Sequence, residues 1–160
     1  MLKRVYSELY HLSQPTYHGC SLAEEWYNFD NFKEWCFVNL KDYMEGWQLD
    51  KDILFKGNKI YSPENCCFVP QEINSLFTKS TKTRGDYPIG VSKAGVKFEA
   101  KCRVNGVKRS LGRYNSPEEA FQVYKEVKEN YIKELADKWE GLVSDKVYEA
   151  MYNYQVEIDD

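Results

Sequence analysis

Apolar and polar positions change rhythm along the chain, and each rhythm predicts an element. Over residues 97–104, Lys-Phe-Glu-Ala-Lys-Cys-Arg-Val alternates strictly. Phe98, Ala100, Cys102 and Val104 fall on one side, and Lys97, Glu99, Lys101 and Arg103 on the other. A period of two predicts a half-buried strand. Ile89-Gly-Val-Ser begins a strand before it. Asn105-Gly106 predicts a tight hairpin, because that turn needs residues tolerant of positive φ. Val107–Leu111 predicts the returning strand. At Ser116-Pro-Glu-Glu119 the rhythm becomes helical, with Ser116 as N-cap, Pro117 as first helical residue and Glu119 closing a capping box. Ala120, Tyr124, Val127, Tyr131 and Leu135 then recur at helical spacing and give the helix a face for the sheet.

The rest of the chain is patterned more loosely. The first fifteen residues read as a helix or an extended arm. Phe32, Trp35, Cys36 and Leu40 fit one helical face that Asn28–Asp30 can start, and this aromatic segment reads as scaffold. Residues 47–78 read as strand, loop, strand, helix. Gly57-Asn58 turns the chain, Cys66–Val69 forms a short strand, and Pro70 opens a helix with Ile73 and Phe77 four apart. The expectation is an α+β chain: a helical N-terminal scaffold and ββα finger over 1–78, a basic linker over 79–87, a three-stranded antiparallel sheet with one helix over 88–138, and a helix with an acidic tail over 139–160. That division suits 160 residues, enough for two small domains with thin cores.

Charge sharpens the picture. The net charge is −3, which argues against a uniformly basic surface, but its distribution is uneven. Residues 1–78 hold 7 Lys/Arg and 11 Asp/Glu, residues 79–113 hold 10 and 2, and residues 114–160 hold 5 and 12. A basic centre between acidic flanks predicts a local polyanion site. Cysteine narrows the chemistry. Cys20, Cys36, Cys66, Cys67 and Cys102 have no paired spacing and no C-x-x-C, so the expectation is reduced, packed thiols, without disulfides or zinc. No signal peptide and no apolar run of the ~20 residues a membrane span needs is visible. An intracellular, cytoplasmic protein is expected, in the host cytoplasm if the chain is phage-encoded.

Ile89-Gly-Val, Phe98-Glu-Ala, Asn105-Gly, Leu111-Gly-Arg-Tyr and Ser116-Pro-Glu-Glu-Ala with Tyr124 together resemble the plant ethylene-response-type (AP-two) DNA-binding domain. The resemblance covers residues 88–135 and implies that the sheet reads the major groove of double-stranded DNA. Lys93, Lys97, Lys101, Arg103, Lys108, Arg109 and Arg113 are the implied contacts, with Arg84 of the linker beside them. Glu99 interrupts the basic stripe.

Upstream, Leu49-Asp-Lys-Asp-Ile, Gly57-Asn-Lys, Pro63-Glu-Asn-Cys-Cys-Phe-Val-Pro and Asn74 resemble an HNH-type ββα-metal finger. The resemblance implies Mg²⁺ or Mn²⁺ held by Asp50 and Asn74, with Asn65 ordering the loop. An oxygen-ligated divalent ion would stabilise phosphoryl charge while a base activates water. The base position, however, is Lys51, and a protonated Lys accepts no proton. Asp52 is the substitute, facing the same side as Asp50 if the strand continues. The only histidines, His11 and His18, lie far upstream. Modules combined in this way occur in phage-borne homing endonucleases. Three functions follow from these readings: a metal-dependent DNA endonuclease or nickase, a non-catalytic DNA-binding regulator on the same scaffold, and a phage effector that binds a host enzyme through its acidic flanks. In a purely structural role, Asp50 and Asp52 are turn acids and Asn74 caps or packs.

Overall fold

The computed structural model describes residues 1–77, 86–158 and 160. The fold is α+β, and the chain divides into two compact units: Met1–Phe77 with Val143–Ala150, and Thr78–Leu142 with Met151–Asp160.

The first unit opens with two short helices, α1 (Leu2–Tyr6) and α2 (Glu8–Ser13), and a 3-10 turn at Pro15–Tyr17. Ser7 separates the helices with extended backbone, and its hydroxyl accepts from the Tyr10 N–H at 3.2 Å. Strand β1 (Ser21–Leu22) and a 3-10 turn at Glu24–Tyr27 lead to α3 (Phe29–Asn39). Asn28 starts that helix by accepting from the Asp30 N–H at 3.0 Å, as its position predicts. Strands β2 (Gln48–Asp50) and β4 (Cys67–Val69) and helix α4 (Gln71–Phe77) follow the strand, loop, strand, helix order expected for 47–78, while β3 (Ile60–Tyr61) is an additional strand inside the expected loop. β2 pairs antiparallel with β4, whereas β3 pairs in parallel with β1. The core gathers Cys20, Leu22, Trp26, Tyr61 and Cys66, with Met1, Val5, Tyr17, Phe32, Trp35 and Leu49 packed against them. The scaffold stripe of α3 is thus core in part: Phe32 and Trp35 set their rings against Trp26, each at 5.0 Å.

The second unit is a sheet on a helix. β5 (Val91–Ala94), β6 (Lys97–Val104) and β7 (Val107–Tyr114) lie antiparallel in that order, and α5 (Pro117–Lys138) covers one face. The first strand begins later than expected, because Ile89 and Gly90 form a turn in which the Val91 N–H reaches the Pro88 carbonyl. The hairpin is the predicted one, with Asn105 at φ 51° and Gly106 at φ 74°. β7 continues past Leu111 to Tyr114, with a register shift opposite Ala100/Lys101. Ser116 caps α5 by accepting from the Glu119 N–H, but the Glu119 carboxylate accepts from the Asn115 N–H and not from Ser116. One N-terminal residue therefore replaces the other in the expected box.

Ala100, Cys102, Ala120, Phe121, Tyr124 and Val156 form this second core. Val156 corrects the reading of the C-terminus as a simple acidic tail. Its carbonyl accepts from Lys125 at 2.7 Å and its N–H donates to Glu129 at 2.8 Å. Those two side chains also pair with each other on α5 at 3.2 Å. A last helix, α6 (Asp145–Tyr152), falls where the helical pattern near 146–152 predicts it. The cysteines are free thiols, all buried except the partly exposed Cys36. Among the described residues, no helix is long and apolar enough to cross a membrane.

Candidate functional site

The pairing register sorts the cations of the sheet by face. Residues directly opposite one another in an antiparallel pair point to the same side. Glu99 faces Ser92 and Arg113, Lys101 faces Ser110, Arg103 faces Lys108, and Lys97 faces Ala94. The outer face, away from α5, therefore carries Lys97, Lys101, Arg103, Lys108 and Arg113. Lys93 is opposite Phe98 and Arg109 opposite Cys102, so both belong to the helix-covered side and emerge at its margins. They do not share the outer face that the resemblance implies for the whole set. Arg84 lies outside the described residues.

Glu99 does more than interrupt the stripe. Its carboxylate accepts from the Lys101 ammonium at 2.6 Å and from the Ser110 hydroxyl at 2.7 Å. The Lys101 contact, then Ser110, holds Glu99 below the usual carboxylate range. Lys101 is half-restrained by this pair, while Lys97, Arg103, Lys108 and Arg113 remain exposed.

The Asp50 loop is a tight polar knot in the first unit. β2 ends at Asp50, and the chain bends there, so Asp52 is no strand residue and the expected strand alternation does not apply. One Asp50 oxygen accepts from the Asp52 and Ile53 N–H groups, both at 2.8 Å. Burial, followed by repulsion from Asp52, nevertheless pushes the Asp50 carboxyl up to about 6. Lys51 is buried and donates to the Asn58 carbonyl at 2.8 Å and to Asp52 at 3.2 Å. Its ammonium is committed to the loop and takes the position of a structural tie.

Asn58, read from sequence only as a turn residue, is the centre of the knot. Its amide donates to the Lys51 carbonyl at 2.6 Å and the Ile60 carbonyl at 2.8 Å, and its Oδ1 accepts from the Ile60 N–H and the Asn65 amide. Asn65 thus orders the loop through Asn58. The signal available in sequence was the Gly-Asn pair followed by a second Asn at a fixed distance. Asn74 of α4 donates to Gln48 Oε1. Gln48 and Asp50 are two apart on β2 and share a face, which sets Asn74 about one pleat repeat, ~7 Å, along the strand from Asp50.

The carboxylates at the end of β2 are Asp50 and Asp52, and the Gln48–Asn74 amide pair stands apart from them along the strand. No three His, Cys, Asp or Glu side chains converge to hold a metal among the described residues. A Mg²⁺ that keeps several waters needs only one or two carboxylates, and the desolvated Asp50 carboxylate beside Asp52 fits that demand. His11 Nε2–H donates to the Arg4 carbonyl at 2.8 Å, and its ring packs on His18 at 5.1 Å. No family model, curated protein or solved structure matches the chain.

Proposed function

We propose that the protein binds double-stranded DNA through the outer face of the β5–β6–β7 sheet. The observation that carries this reading is the segregation of cations in register. Lys97, Lys101, Arg103, Lys108 and Arg113 share a face with one acid, Glu99, whose charge is already spent on Lys101. Three strands at ~4.8 Å spacing are about 10 Å across, within the ~12 Å major groove. Cations there reach phosphates and guanine edges together. The experiment is duplex affinity measured against salt for the full chain and for Arg103→Ala/Lys108→Ala. The expected result is a steep salt dependence that becomes shallower by about 0.9 per lost phosphate contact. A salt-indifferent affinity, or an unchanged slope in the double variant, rejects the reading.

The Asp50 loop supports a second, finer reading: metal-dependent hydrolysis of a DNA phosphodiester, as in an HNH-type endonuclease or nickase. It is favoured by the buried, proton-hungry Asp50 carboxylate, a group that a divalent cation would stabilise in its charged form. Asp50 would hold Mg²⁺ or Mn²⁺ with waters completing the shell, and the ion would supply charge stabilisation at the phosphoryl group; the Gln48–Asn74 amide pair, about one pleat repeat away, lies outside that shell. Asp52 is the one side chain of the loop left to accept a proton, and Lys51, itself tied to Asn58, holds it in place. Incubation with supercoiled plasmid and Mg²⁺ or Mn²⁺ tests this. Nicking by the wild type, lost in Asp50→Ala, is expected. Absence of nicking with either metal leaves the non-catalytic DNA-binding regulator, for which the engagement of Lys51 at the base position is the supporting observation.

A further inference from the structure

The N-terminal arm brings an unneutralised cation to the Asp50 loop. Arg4 of α1 stacks its guanidinium over the Tyr17 ring at 5.1 Å and lies beside the Tyr61 hydroxyl. Tyr61 is fully buried at the start of the core, and its ring also lies 6.0 Å below the Lys51 ammonium. The arm is fastened there independently: Lys59 donates to the Thr16 carbonyl, and β1 pairs with β3. Tyr17 is close enough to feel the charges of both Asp50 and Asp52, which with burial first and Tyr10 push its phenol up against the opposing pull of Arg4.

Two deficits meet at this point. Arg4 is half-buried and lies against the phenols Tyr17 and Tyr61, yet no carboxylate pairs with it among the described residues. A cation withdrawn from water without a counter-charge is costly. The Tyr61 hydroxyl is buried with no hydrogen bond of acceptable geometry, although Arg4 is near it. An orphaned buried hydroxyl is a second cost. An anionic oxygen lying against Arg4 meets the first, since a guanidinium offers a planar fork of donors suited to phosphate.

We propose that Arg4, framed by Tyr17 and Tyr61, seats a phosphate oxyanion beside the Asp50–Asp52 loop, delivered by a phosphodiester of bound DNA. The inference rests on the DNA reading above and adds to it a backbone contact from the first unit. Its effect is positional, because a phosphate gripped by Arg4 is held at the edge of the loop that carries Asp50.

The test uses the full chain labelled with ¹⁵N at arginine. The Arg4 Nε–H signal, assigned by its loss in Arg4→Lys, is followed during titration with a 12-base-pair duplex and, separately, with inorganic phosphate. A saturable shift of that signal with duplex is expected, together with a salt slope shallower by about 0.9 in Arg4→Gln and restored in Arg4→Lys. An unmoved Arg4 signal while the duplex binds, with an unchanged slope in Arg4→Gln, overturns the seat and leaves the sheet reading standing. If the wild type binds no duplex, the DNA reading falls. The seat is then judged by inorganic phosphate alone, where a saturable shift upholds it and an unmoved signal overturns it.

Discussion

At the scale of single residues, burial sets what each group can do. Asp50 has two backbone donors on one oxygen, yet desolvation and Asp52 together hold its carboxyl near 6. A carboxyl whose folded value is raised contributes stability below the unfolded value, and loses it as pH rises through the folded value. The window is therefore about pH 4 to 6. Asp50→Asn keeps the acceptor for both N–H groups and removes the charge. It is expected to match the wild type near pH 4 and to exceed it by on the order of 1–2 kcal/mol above pH 6.5, read by urea unfolding at several pH values. A divalent cation held at Asp50 acts in the opposite sense. Mg²⁺ is expected to raise the Tm of the wild type at pH 7.5 and to leave Asp50→Asn unchanged. Gly90 is a simpler case. It sits at φ 77°, and a β-carbon there would meet the Tyr124 ring at 2.1 Å. Gly90→Ala is expected to cost roughly 2–3 kcal/mol, measured as a lower urea midpoint with an unchanged slope.

At the scale of elements, the parts legible in sequence were those with an unbroken period or a local cap. The alternation of 97–104, the Asn-Gly turn and the Ser-Pro start of α5 each depend on neighbours within a few residues, and all three stand in the structure. The parts that were not legible depend on partners far away in sequence. The parallel β1–β3 pair joins residues 21–22 to 60–61, and no local pattern announces it. Asn58 looked like punctuation because its hydrogen-bonding partners, Lys51, Phe55, Ile60 and Asn65, are supplied by the folded loop. The division of Lys93 and Arg109 from the outer cations needed the actual strand register, which charge counting does not contain. Tyr131 is another long-range tie. Its hydroxyl accepts from the Asn105 N–H at 3.1 Å and donates to Asn105 Oδ1 at 3.3 Å, fastening the hairpin tip to α5. Tyr131→Phe is expected to cost about 1 kcal/mol. Hydrogen exchange checks the mechanism: the Asn105 amide should exchange faster, while amides in the middle of α5 keep their protection.

At the scale of the molecule, the net charge of −3 conceals opposed fields, and the sheet face is where the positive one is concentrated. Glu99 lowers that field at its middle and ties down Lys101. Glu99→Gln releases the ammonium and removes one negative charge. It is expected to tighten duplex binding several-fold at low salt and to steepen the salt slope by about 0.9, both read by fluorescence anisotropy. An affinity that falls in this variant would instead mark Glu99 as a direct acceptor for a cytosine amino group. The order β5–β6–β7 has one more consequence. Its two outer strands each leave a row of backbone donors and acceptors unclaimed by any neighbour within the sheet. Lys93 stands on one of those borders, and Lys108, Arg109 and Arg113 on the other. Like charges meeting across such borders repel, which disfavours the zipping of two copies edge to edge into a fibre. The same side chains that would greet a polyanion thus also guard the open borders of the sheet.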